Sequence, residues 1–276
     1  MQLLRPDSPA HAIALRAAHP GARFVAGGTA LQQEWGDRHR APADCCLVPL
    51  HQLPALRGIE LMEGGTSLRM GAAMPLETVR THALVRAHAP LLAEALAQLG
   101  ALGVRHLGTL GGNVAWRWGD STPALLVLDA QAECAHAPGK RLPLAALLAQ
   151  AELPLIVALH IPLQPGAAPA NTVFEKAAQR AAFAPARLRL ALRWNHGQLS
   201  HVACAAPDLP ARLLGRTLAW LHSHPATRGA AALAGLRQAC TADGLPTEHP
   251  EDLAHLAARL IAGHCGLLAS AAEEVQ

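Results

Sequence analysis

The stretch Pro162-Leu163-Gln164-Pro165-Gly166-Ala167-Ala168-Pro169 can continue neither a helix nor a central strand. Proline lacks the amide proton that both structures use, and its ring clashes with the preceding helical turn. A chain of 276 residues broken here is expected to fold as a larger unit in front, residues 1–165, and a smaller one behind, residues 170–276.

What fills those units is restricted as well. The chain has three Phe, five Trp and no Tyr although 51% of it is hydrophobic, so its core is built from Ala, Leu and Val. A chain of this length buries roughly 70–75% of its unfolded surface and needs no staples. The cysteines, Cys45, Cys46, Cys134, Cys204, Cys240 and Cys265, make no CxxC pair and no zinc spacing, which points to free thiols and no metal site. Lys and Arg total 23 against 20 Asp and Glu, without a long single-sign run, which argues against a nucleic-acid partner. No segment approaches ~18 uninterrupted apolar residues, so no membrane span is expected. Met1 to Asp7 has no signal-peptide core, which points to the cytoplasm, with export alongside a partner left open.

Turn and periodicity signals give a mixed plan. Ser8 to His19 reads as a helix capped by Ser8, and Arg23 to Ala26 and Cys45 to Leu50 read as short strands. Ile59 to Met62 and Ser67 to Ala72 flank a hairpin turn. Leu76 to His88 and Pro90 to Leu99 read as helices, followed by a glycine-dense section and then a helix from Thr122 to Ala130 with Pro123 at its first position. Glu152 to Ile161, Thr172 to Lys176, Arg187 to Trp194 and Leu199 to Ala205 read as extended. Leu209 to His222, Thr227 to Cys240 and Pro250 to Ala272 read as helices. The class is α+β.

Two glycine motifs carry the chemistry. In Phe24-Val25-Ala26-Gly27-Gly28-Thr29-Ala30-Leu31, the glycines lack the Cβ atoms that would hold a diphosphate off the main chain. An ordinary strand-to-helix turn explains that motif equally well. Neither a GxGxxG fingerprint nor a P-loop is present. The second motif, Arg105-His106-Leu107-Gly108-Thr109-Leu110-Gly111-Gly112-Asn113, is denser. Its Gly111-Gly112 pair permits positive φ, and Thr109 and Asn113 can bond phosphate or ribose oxygens. Asp120, just before a helix, can cap that helix or accept ribose hydroxyls.

Gly-Thr-Leu-Gly-Gly-Asn, the aspartate after it, and Pro123-Ala-Leu-Leu-Val-Leu-Asp-Ala130 resemble the FAD-binding subunit of the molybdenum hydroxylases, a family that includes xanthine dehydrogenases, carbon monoxide dehydrogenase and aldehyde oxidoreductases. Ala26-Gly-Gly-Thr-x-Leu31 and Phe174-Glu175-Lys176 with Arg180 extend the similarity across most of the chain in the same order. The resemblance implies a two-lobed vanillyl-alcohol-oxidase-type (PCMH-like) FAD-binding domain, with lobes of about 1–55 and 56–165, and a smaller α+β C-terminal domain.

Carried over position by position, the first diphosphate loop falls on Phe24, Val25, Ala26, Gly27, Gly28, Thr29, Ala30 and Leu31. The second falls on Thr109, Leu110, Gly111, Gly112 and Asn113. The resemblance places Leu99 beside the flavin, Asp120 at the ribosyl or adenine portion, Ile156 as an apolar contact and Lys176 near the flavin's polar edge. The chain departs from the family at Ala30, where an acid is common, and at His106, where Asn is common. The loop Val114 to Gly119, with Trp116 and Trp118, is shorter by about two residues. No cysteine cluster can hold the extra [4Fe–4S] centre of some relatives.

The function so implied is electron transfer. FAD collects electrons from the [2Fe–2S] clusters of a partner, beside a molybdopterin-binding large subunit, and passes them to NAD, oxygen or another acceptor. No catalytic acid–base pair stands out. Two other readings compete: a flavin-less structural or assembly subunit, prompted by Ala30 and the short loop, and a stand-alone flavin oxidase, which the lack of an evident base disfavours.

Overall fold

Capping and alternation account for most of the elements. In the computed structural model, which describes residues 1–36, 41–117, 119–164, 170–178, 186–248 and 252–268, Ser8 accepts a hydrogen bond from the His11 amide at 3.2 Å and opens α1, Pro9–Ala18. The first sheet is parallel, with β1 (Gln2–Leu3), β2 (Arg23–Val25) and β3 (Cys46–Pro49) in the order β1-β3-β2. Helix α2, Thr29–Glu34, follows β2 through Gly27-Gly28.

The second sheet holds β4 (Ile59–Met62), β5 (Ser67–Gly71), β6 (Gln131–Cys134), β7 (Arg141–Pro143) and β8 (Ile156–Pro162) in the antiparallel order β4-β5-β8-β6-β7. The expected hairpin is present, with Leu61 opposite Leu68. Between β5 and β6 run α3 (Leu76–Thr81), α4 (Ala83–His88), α5 (Pro90–Ala97), α6 (Leu102–Leu107), α7 (Leu110–Ala115) and α8 (Ser121–Val127), and α9 (Leu144–Leu148) follows β7. The third sheet is β9 (Asn171–Ala178), β10 (Ala186–Asn195), β11 (Gln198–Ala206) and β12 (Leu209–Leu213), antiparallel in the order β12-β11-β10-β9. Helices α10 (Gly215–Ser223), α11 (Gly229–Ala242) and α12 (Leu253–His264) complete an α+β architecture.

The third sheet is buried on both faces, and its two faces use different side chains. Leu188, Leu190 and Leu192 pack with Leu236 and Ile261 of α11 and α12. The alternate face carries Ala191, Ala203 and Ala205, which belong to the larger core around Leu91 and Leu125. Small residues on that face let α8 lie directly on the sheet, and every residue from Ser121 to Val127 is buried.

Several expectations are corrected. Leu209 to His222 is not one helix: Leu209–Leu213 is an edge strand and a helix begins at Gly215. Pro210 is tolerated there because an edge strand leaves one side unpaired. Leu76 to His88 is two helices, since the His82 backbone is extended and its ring accepts the Leu84 amide at 3.3 Å. The glycine-dense section is helical in two places, α6 and α7. Neither Gly111 nor Gly112 has positive φ, because both sit inside α7. Pro123 is the third residue of α8, not the first. Leu253–His264 is shorter than the Pro250 to Ala272 expected, and Pro250 and residues 269–272 lie outside the described residues. All six cysteines are free, with Cys134, Cys204 and Cys240 buried.

Candidate functional site

The two glycine motifs meet through glycine itself. Gly28, at φ 70°, turns the chain from β2 into α2, a conformation open to glycine without strain. Gly27 lies against the main chain of Leu107 and Gly108, and a Cβ there would overlap the Leu107 carbonyl. Gly27 and Gly108 both line a cleft of about 1100 Å³, slightly above the size usual for ligand sites.

The two turns differ in what they leave open. No side chain caps α2, so its first amides lack a protein partner of that kind. At α7 the amides are committed. Leu110 N donates to Met74 O at 3.0 Å, Gly111 N to Ala72 O at 2.8 Å, and Gly112 N to Thr109 Oγ1 at 3.2 Å. Asn113 Oδ1 accepts from Ser121 N at 3.1 Å and Ser121 Oγ at 2.5 Å. Thr109 and Asn113 thus spend acceptor oxygens on caps, and the second motif serves the cleft by shape rather than by free amides.

All eight residues from Phe24 to Leu31 line the cleft, as do Leu99, Thr109, Gly112, Asn113, Asp120 and Lys176. Leu110, Gly111 and Ile156 are buried and do not line it. Gly111 has a packing reason instead, since a Cβ there would stand 2.6 Å from the Ala72 Cβ. Trp116 is at the cleft, whereas Trp118, Arg180 and Phe183 lie outside the described residues.

Asp120 is at the N-cap of α8 but makes no side-chain cap bond, which corrects that expectation. Its carboxylate accepts from Lys176 Nζ at 2.6 Å and from Arg189 Nε. Lys176 also donates to Gln98 O at 2.7 Å. Lys176 and Arg189 face each other across β9 and β10. Arg189 was not singled out by its sequence, because an arginine between Leu188 and Leu190 reads as a solvent-facing strand position.

Next to Lys176 the cleft wall is fixed by a second cation. Arg105 donates to Leu99 O and Gly100 O, both at 2.9 Å, and to Glu77 Oε2 at 2.7 Å. Glu77 is also held by Arg80, and the two guanidiniums lower its carboxyl to about 2. The segment after α7, whose Trp116 and Gly119 line the cleft, is anchored by Arg117, which at φ 64° donates to Leu148 O, Gln150 O and Ala151 O while its carbonyl accepts from Ala211 N. Among the described residues no His, Cys, Asp and Glu group is placed to hold a metal ion, and no helix is long and apolar enough to cross a membrane.

Residues 1–164 match the family described as the FAD binding domain in molybdopterin dehydrogenase. Over 139 residues the chain is 34% identical to the xanthine dehydrogenase FAD-binding subunit of Escherichia coli O157:H7, covering 49% of this chain and 45% of that one. Over 109 residues it is 32% identical to the nicotinate dehydrogenase FAD-subunit of Eubacterium barkeri, covering 39% and 36%. Each match thus spans less than half of the relative's length. In fold, the chain is similar to a carbon monoxide dehydrogenase chain from Hydrogenophaga pseudoflava, with TM-score 0.77, 22% identity, and coverage of 96% of this chain and 94% of that one. Quinoline 2-oxidoreductase from Pseudomonas putida 86 gives TM-score 0.73 at 21% identity, with coverage of 96% and 95%.

Proposed function

Because the chain belongs to the family of FAD-binding domains of the molybdopterin dehydrogenases, we propose that it is the flavin-carrying electron-transfer subunit of such an oxidoreductase. The observation that carries this reading is the cleft itself, which Gly27, Gly28, Gly108 and Gly112, far apart in sequence, line together with Asp120 and Lys176. When bound, FAD accepts electrons singly and releases them in pairs.

In this reading the chain's own residues bind and orient. The uncapped first turn of α2, behind Gly27 and Gly28, takes the diphosphate, with the Thr29 hydroxyl beside it. Gly112 leaves room for close approach, and Leu99 gives the ring an apolar neighbour. Asp120 and Lys176 are in direct contact, so one portion of the cofactor meets both. Leu110, Gly111 and Ile156 act from behind the wall. In this reading the domains are 1–165 and 170–276, and the Asp120–Lys176 pair joins the N-cap of α8 in the first to β9 in the second.

The donor is a partner subunit with [2Fe–2S] clusters, working beside a molybdopterin-binding large subunit in the cytoplasm, and the acceptor is NAD, oxygen or another carrier. The test is anaerobic mixing of the FAD-loaded chain with its reduced iron–sulfur partner, followed at the flavin absorption band. Bleaching of the band supports transfer. An unchanged band, with the partner still reduced, rejects it.

A further inference from the structure

The chain has three Phe, five Trp and no Tyr, and among the described residues only Phe24 and Trp116 of these line the cleft. Phe24 is covered on one face, where the Arg16 guanidinium lies 5.1 Å from the ring centroid. Trp116 is half-buried and ends α7, whose Thr109, Gly112 and Asn113 line the cleft with it.

The loop that carries Trp116 is closed and braced. Asn113 Oδ1 accepts from Ser121 N at 3.1 Å, which ties its two ends together. Gly119 is folded onto Asn113, where a Cβ would overlap the Asn113 carbonyl. Arg117, the next residue after Trp116, holds the Leu148, Gln150 and Ala151 carbonyls and receives the Ala211 amide. An aromatic ring on a braced segment loses little freedom when a ligand packs on it, so more of the contact appears as affinity.

The same loop decides which part of a dinucleotide the indole meets. Four residues beyond Trp116, Asp120 accepts from Lys176, and that ammonium also bonds Gln98 O beside Leu99. Ala178 and its strand partner Ala186 add apolar lining next to this pair, which suits a flat ring rather than a phosphate. The open amides that suit a diphosphate begin at Thr29 of α2. Gly108, which leads into α7, is the residue that stands by the Thr29 hydroxyl. Trp116 is at the other end of α7, about 10 Å further on.

Resting on the FAD reading above, we infer that the Trp116 indole lies against the isoalloxazine ring of the bound cofactor. An electron-rich indole touching an excited flavin lends it one electron and takes it back, which returns the flavin to its ground state without emission.

The experiment binds FAD to the full chain and follows the emission lifetime of the bound flavin, with the dissociation constants of FAD and, by competition, of ADP measured alongside. Trp116→Leu lengthens the lifetime and weakens FAD about tenfold, the loss of one stacked ring. Trp116→Phe keeps a ring without the electron-rich indole, so it lengthens the lifetime and holds FAD near wild-type strength. The dissociation constant of ADP is the same in all three proteins. A merely structural role does not separate lifetime from affinity in this way. An unchanged lifetime in both variants overturns the inference. A loss of ADP affinity that matches the loss of FAD affinity assigns Trp116 to the adenine and also overturns it. If Trp116→Leu does not fold, the lifetime in Trp116→Phe decides. A wild-type chain that takes up no FAD rejects the functional reading itself, and this contact falls with it.

Discussion

Gly27 stands so close to the Leu107 carbonyl that no Cβ fits between them. Residues 80 positions apart in sequence are thereby held together, and Gly27 and the neighbouring Gly108 both line the cleft. Gly27→Ala forces the two motifs apart. Overpacking against backbone costs about 1–3 kcal/mol, because main chain cannot rotate away as a side chain can. The expected outcome is a lower urea midpoint together with loss of bound FAD, read from denaturation curves and from the flavin released on heating.

Gly111 and Gly112 separate packing from binding. A Cβ on Gly111 collides with Ala72, including its backbone, whereas one on Gly112 meets only Thr109 Oγ1, at 2.9 Å. Gly112 lines the cleft and Gly111 does not. Gly112→Ala therefore stays folded and weakens FAD at least about tenfold, or about 1.4 kcal/mol. Gly111→Ala destabilises the chain first. Isothermal titration with FAD and thermal melts on the two variants distinguish these effects.

Glu77 gives the site a pH dependence of known sign. Its carboxyl is lowered from 4.5 to about 2 by the hydrogen bonds from Arg80 and then Arg105. A lowered value means that the stabilisation is complete above about 4.5 and is lost as pH falls toward about 2. Glu77→Gln is less stable than wild type at pH 7, and the gap closes across that acid window. Melting temperatures between pH 6 and pH 2 measure it. Arg105 also holds Leu99 O and Gly100 O, so the same variant has weaker FAD binding at pH 7.

Arg117 anchors the segment after α7. Its guanidinium donates to three carbonyls at the end of α9, where a positive charge is also favoured by the helix dipole. Arg117→Ala removes those charged hydrogen bonds while keeping the strained positive φ, and costs about 2–3 kcal/mol. Urea denaturation is the check, and a loss under about 0.5 kcal/mol contradicts the anchoring role.

The glycine motifs were legible because glycine marks close backbone approach regardless of what surrounds it. All of Phe24 to Leu31 reached the cleft, as did Thr109, Gly112 and Asn113. The third sheet was harder to read. Leu188, Leu190 and Leu192 alternate with Arg189, Ala191 and Arg193, which looks like one core face and one wet face. The second face is instead covered by α8. Seven helical residues rise about 10 Å and four strand residues span about 13 Å, so the two arginines reach opposite ends of that helix. Arg189 meets Asp120 at its start, and Arg193 meets Val127 O at 3.0 Å near its end. Periodicity reports which residues share a face, and only tertiary packing decides what covers it. Leu209–Leu213 reads as helix in the sequence for a related reason, since leucines four apart fit a helix as well as an edge strand.

Equilibrium binding of FAD to the purified chain decides whether the cleft is a flavin site. Flavin fluorescence is followed as the chain is added, with the Gly112→Ala variant in parallel. The expected result is saturable binding of one FAD per chain, weakened at least about tenfold by that substitution. No saturation with the folded wild-type chain, or equal affinity for both proteins, contradicts it.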